Sequence, residues 1–119
     1  MEELIENLVT IKYCIEKIEA KLLQSSLENR WLWETRLKIA QYVYSYMLLH
    51  NNNREIEPSI LNEEQKQEII KTHPLMQPLR QASIGITNEQ RNAIQKEIYD
   101  KIHNMYFLHE KKETVSLRN

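Results

Sequence analysis

The chain has one glycine, three prolines and one cysteine in 119 residues, and each shortage removes a class of structure. A single glycine leaves no glycine-rich loop to cradle a phosphate, and too few flexible points for the tight turns of a sheet-rich chain. The lone cysteine, Cys14, has no partner for an internal disulfide, and the opening MEELIENLV is acidic where a signal or transit peptide would be basic. Both features predict an intracellular, cytoplasmic protein. No apolar run approaches the roughly 18 to 20 residues that a membrane helix needs, so no membrane partner is expected. Charge of one sign is also lacking. Sixteen basic residues stand against seventeen acidic ones, for a net charge of -1. No whole-molecule field therefore draws the protein to nucleic acid or to an anionic surface.

What is present is helical in character. Glu, Lys, Gln, Leu and Ile are abundant, and the length suffices to bury a core without disulfide or metal staples. Leu4, Leu8, Ile11, Ile15, Ile18 and Leu22 step by 4, 3, 4, 3 and 4, a heptad seam along a first helix that Ile5, Val9 and Leu23 widen. The seam stops at Ser25, too short for a homotypic coiled coil, and predicts packing within the chain. Cys14, beside it, reads as a small packing residue.

The chain is organised around a second helix, LENRWLWETRLKIAQYVYSYMLL, residues 27–49, in which fourteen of twenty-three positions are apolar or aromatic. Trp33, Leu37, Ala40, Tyr44 and Met47 form one face, and Leu32, Ile39, Val43 and Tyr46 the next. A helix with two apolar faces must be central in its own bundle or must meet a partner. Ser25-Ser26-Leu27-Glu28 reads as a capping box that starts this helix after a hairpin turn, and Glu34 and Lys38 stand at the spacing of a helical ion pair. His50 and Asn51-Asn52-Asn53 end it, because asparagine tolerates the left-handed conformation.

Residues 51–86 form the least regular region. Pro58-Ser59-Ile60-Leu61 predicts a helical turn, Asn62-Glu63-Glu64-Gln65 an N-cap, and His73-Pro74 the end of a short polar helix with only Ile69 and Ile70 to bury. A further short helix is expected over 75–84, closed by Gly85. Thr87-Asn88-Glu89-Gln90 is another capping box and opens the last long helix, with Ile94, Ile98, Ile102, Met105 and Leu108 as its apolar stripe and Arg91, Gln95, Lys96, Lys101 and Asn104 on the other side. From Glu110 onward the chain is charged and aperiodic. The expectation is an all-α fold, an antiparallel bundle of three long helices with one or two short helices in the middle. It forms one domain over residues 1–109, with residues 110–119 a flexible tail.

Chemical motifs are absent at the local level. Asp100 and His103 stand three apart, as in helical di-metal sites, but the second such pair is missing. His109-Glu110 lacks the second histidine of a zincin helix, and Arg36 to His50 and Arg91 to His103 are too far apart for a helical RNA-cleaving motif. No enzymatic activity, cofactor or metal is expected.

The surplus of apolar surface points instead to a helical inhibitor, adaptor or accessory subunit that presents Arg30, Trp31, Trp33, Arg36 and Lys38 to a protein partner, since Trp and Arg are enriched at interface hot spots. The alternative is a small subunit of a nucleoprotein complex, with Arg30, Arg36, Lys38, Arg80 and Arg91 along a single strand of RNA or DNA. A homo-oligomer would use the seam from Leu4 to Leu22 between chains.

Overall fold

The computed structural model describes residues 3–77 and 87–118, with side chains for all of these except 27–29 and 108–118. Every ordered element among the described residues is helical. They are α1 (Glu3–Gln24), α2 (Leu27–Leu49), a 3-10 turn Pro58–Ile60, α3 (Glu63–Thr72), a second 3-10 turn Pro74–Met76, and α4 (Asn88–Arg118). The three long helices and the short middle one fall where the hydrophobic periods place them. The helix expected over 75–84 is represented by the turn Pro74–Met76, and its remainder, with Arg80 and Gly85, lies outside the described residues. The α4 backbone stays helical to Arg118, past the end expected near residue 109.

Only residues 25 and 26 join α1 to α2, and the chain folds back on itself there, so that Lys12 in the middle of α1 reaches the ring of Tyr44 late in α2, at 5.3 Å. The α1 seam is spent inside this pair. Leu8, Ile11, Ile15 and Ile18 are buried, with Leu4 and Leu22 packed against them, facing Ile39, Ala40, Val43, Tyr44 and Met47. Val9 and Tyr13 turn to a second face of α1, where Leu61 and Ile56 from the connection after α2 cover them. Leu23 does not widen the seam. It stands 90% exposed, because Leu22, four residues past Ile18, takes the inward position and leaves Leu23 about 100° further round.

Caps fix most of the helix ends. Asn62 accepts from Gln65 N at 2.8 Å while Gln65 Oε1 accepts from Asn62 N, and Thr87 and Gln90 repeat this reciprocal pair at the start of α4. Asn52 and Asn53 carry φ of 55° and 57°, the left-handed conformation that closes α2. The expected capping box at Ser25 does not form. Ser26 caps α2 by backbone position without a side-chain bond, and the Ser25 hydroxyl donates back to Lys21 O at 2.6 Å, finishing α1 instead.

The direction of α4 departs from a simple up-and-down arrangement. Arg91 lies over Trp31, Gln95 bonds Thr35, Tyr99 meets Tyr42 and Phe107 meets Tyr46, so both residue numbers rise together along the contact. Thus α4 runs parallel to α2. Residues 50–87 lie between these helices, and a connection of that length returns the chain to the end from which α2 started.

Candidate functional site along the seam between α2 and α4

The two apolar faces of α2 are met from different sides. Leu32, Ile39, Ala40, Val43, Tyr44 and Met47 are buried, Trp33, Leu37 and Tyr46 are half-buried, and the covering comes from α1, the turn Pro74–Met76 and the inward residues of α4. Most of the surplus that singled out α2 is therefore used within one chain. What remains is a stripe along its seam with α4. At its centre Tyr42 is 55% and Tyr99 37% exposed, with ring centroids 6.3 Å apart. His103 continues the row, 5.7 Å from Tyr99 and 4.8 Å from Phe107. Rings set edge to face or tilted at these separations attract through their quadrupoles, so the ledge is stiff as well as apolar.

Toward the start of α2 the stripe reaches the tryptophans. Trp31 is half-buried with the Arg91 guanidinium 5.3 Å from its ring, and Trp33, half-buried against the core, carries the guanidinium of Arg36 at 4.8 Å. Each indole face is thus already occupied by a cation of the same chain. Trp31 Nε1 and Arg91 Nε are enclosed without a hydrogen-bond partner among the described residues. Arg91 and Gln95 are accordingly not on the solvent side of α4. They are the residues that bind α4 to α2, Gln95 Nε2 donating to Thr35 Oγ1 at 3.0 Å.

Of the five residues expected to face a partner, Arg30 is exposed and paired with Glu34 at 3.0 Å, Lys38 is exposed, and Trp31 and Trp33 are half-buried. The pair expected between Glu34 and Lys38 yields to Arg30, which stands one turn earlier on the same side of Glu34. Arg36 is the correction. It is 5% exposed, Nη1 donates to Leu75 O at 2.9 Å, and Nε has no partner among the described residues. Burial holds its guanidinium down at about 10, below the usual arginine value. The reason lies in the spacing: Leu32, Arg36, Ala40, Val43 and Met47 form one inward stripe, and Arg36 occupies a position in it. Neither a strand of nucleic acid nor a partner protein reaches a side chain so placed. Arg80 lies outside the described residues, so the five cations considered for nucleic acid leave Arg30 and Lys38 exposed and Arg91 against Trp31.

On α4, Met105 is exposed rather than part of the stripe. The inward row continues in fours, through Ile94, Ile98, Ile102 and Tyr106, which turns Met105 outward and brings Tyr106 under the turn Pro74–Met76.

The titratable groups with chemical potential are enclosed. Cys14 has no exposed surface, and burial pushes its thiol up to about 12. His73 is 4% exposed; its Nδ1 accepts from Leu75 N at 3.1 Å, which places the ring proton on Nε2, donated to Tyr106 Oη at 2.7 Å. Burial lowers His73 to about 4 and holds the Tyr106 phenol well above its usual range. Asp100 is engaged by Lys96 at 3.1 Å, while His103 lies among aromatic rings. Among the described residues no group of three or more His, Cys, Asp or Glu side chains is placed to hold a metal ion, and no helix is long and apolar enough to cross a membrane.

Sequence reasoning gave His73 no role beyond ending a helix, and Tyr106 none. They are thirty-three residues apart, and no local spacing announces the pair. Arg36 was open to discovery from its inward register. Compared with known protein families, with curated proteins and with solved structures, the chain finds no match.

Proposed function

We propose that this is a non-catalytic helical interaction protein, an inhibitor, adaptor or accessory subunit, that docks a protein partner along the α2–α4 seam. The observation that carries this reading is the exposed aromatic ledge of Tyr42 and Tyr99, continued by His103 and flanked by Lys38. Tyrosines held in place by a neighbouring ring lose little rotamer freedom on binding and offer both an apolar face and a hydroxyl, which is why they anchor interfaces. The enclosure of Cys14, His73 and Tyr106 supports the non-catalytic part, since none of these groups meets solvent or substrate in this packing.

The experiment compares capture from the native host by the wild-type chain and by the double variant Tyr42→Ala/Tyr99→Ala, with nuclease treatment as a control. Both side chains are on the surface, so circular dichroism should stay helical. A polypeptide retained by the wild type, indifferent to nuclease and lost with the double variant, is the expected result. Capture unchanged by the double variant, or dependent on nucleic acid, refutes the reading.

A further inference from the structure

The turn after α3 is tied down in an unusual way, independent of the seam. Leu75, fully buried, is gripped at both ends of its peptide unit: its N–H donates to His73 Nδ1 at 3.1 Å and its carbonyl accepts from Arg36 Nη1 at 2.9 Å. The other ring nitrogen of His73 donates to Tyr106 Oη on α4, and the two rings stack with centroids 6.1 Å apart. Met76 N bonds His73 O at 2.9 Å, and Gln77 Nε2 bonds Lys71 O and His73 O. One imidazole thus fixes the turn to itself and to α4, while a guanidinium fixes it to α2.

We propose that residues 73–76 form an acid-sensitive latch, in which protonation of His73 at Nδ1 frees this segment from α2 and α4 while the long helices remain folded. A doubly protonated imidazole has no acceptor left, so the Leu75 N–H loses its partner inside an apolar core. The new positive charge also lies close to a second one, because Arg36 holds the opposite end of Leu75. The groups around the ring offer no relief. They are Tyr106 from α4, Arg36 from α2, and the Cys14 thiol of α1, which borders Tyr106; α3 contributes the backbone carbonyl of Lys71 to the turn. Burial alone, with no carboxylate contributing, depresses both His73 and Arg36.

The sign follows from linkage. The released ring titrates near 6.5 and the latched ring near 4, so the latch is undisturbed above 6.5 and weakens as pH falls between those values. Over that window the ratio of released to latched segment rises up to about 300-fold. Release uncovers Leu75 and Met76 and the core residues beneath them.

Amide hydrogen exchange at Leu75 and Met76, corrected for the intrinsic pH dependence of exchange, tests this in the full chain between pH 7 and 4.5. The comparison is His73→Asn, whose side-chain oxygen accepts from the Leu75 N–H but takes no proton in this range. In the wild type, protection of these amides should fall about 100-fold from pH 6.5 to 4.5 with helical circular dichroism intact. In His73→Asn it should not change. The proposal is overturned by an equal loss in His73→Asn, by unchanged protection in the wild type, or by simultaneous loss throughout α1 and α2. Should His73→Asn not fold, the ring resonances of wild-type His73 decide. Titration that tracks the loss of Leu75 protection supports the latch, and titration near 6.5 with Leu75 still protected refutes it.

Discussion

Replacing Arg36 by methionine isolates what a buried, uncompensated charge does to this fold. The fall of its guanidinium from 12.5 to about 10 means that burial disfavours the charged form by about 3 kcal/mol. Two contacts oppose that cost. One is the charged hydrogen bond to Leu75 O at 2.9 Å, worth about 1.5–3 kcal/mol, and the other is the contact with the Trp33 ring at 4.8 Å, worth roughly 2 kcal/mol when desolvated. Methionine fills a similar volume and removes the desolvation cost, but it also removes both contacts and leaves the Leu75 carbonyl without its donor. The terms nearly cancel, so Arg36→Met should change stability by less than about 1 kcal/mol. Arg36→Ala lacks the stem that fills the space between α2 and the turn Pro74–Met76, and should lose about 2–4 kcal/mol. Urea unfolding followed by tryptophan fluorescence measures both, with equal m-values required for the comparison. If the methionine variant falls as far as the alanine variant, the guanidinium itself holds the turn, and the cancellation argued here is wrong.

Three further outcomes follow from the geometry. Asn53→Ala places a Cβ at φ 57° and should lower stability by about 1 kcal/mol, whereas Asn53→Gly should be close to neutral in the same thermal unfolding series. Thr87→Ala removes the acceptor for Gln90 N at the start of α4 and should cost about 1 kcal/mol by urea titration, and no change would mean that the cap does not hold this end. Cys14, fully enclosed with its thiol pushed up to about 12, should react with a thiol reagent only in denaturant, and fast labelling of native protein would show that α1 opens readily.

Local chemistry was legible wherever one short stretch decides its own state. The Asn62/Gln65 and Thr87/Gln90 pairs are reciprocal side-chain bonds within four residues, and Asn52 and Asn53 take the left-handed turn that their type permits. Ser25 shows the limit. Its hydroxyl had two backbone partners within reach, the start of α2 or the end of α1, and the bond to Lys21 O won. Met105 and Tyr106 show another: a stripe that could advance by three or by four after Ile102 is settled by which side chain fits beneath the turn Pro74–Met76. At the candidate interface, composition singled out the right helix but misread Arg36 as outward, because arginine was read by type and not by its place in the inward row.

The sequence by itself determined that the chain is helical, where three of its long amphipathic segments start, and that α1 and α2 bury a common seam, because hydrophobic period and capping act over one or two turns of helix. Tertiary structure alone decided that α4 runs parallel to α2, that Arg36 points inward to Leu75, that His73 meets Tyr106, and that Tyr42 and Tyr99 are the aromatics left at the surface. Those outcomes depend on which elements meet across tens of residues. Helical periodicity fixes the angle of a side chain about its own axis and carries no information on what lies opposite.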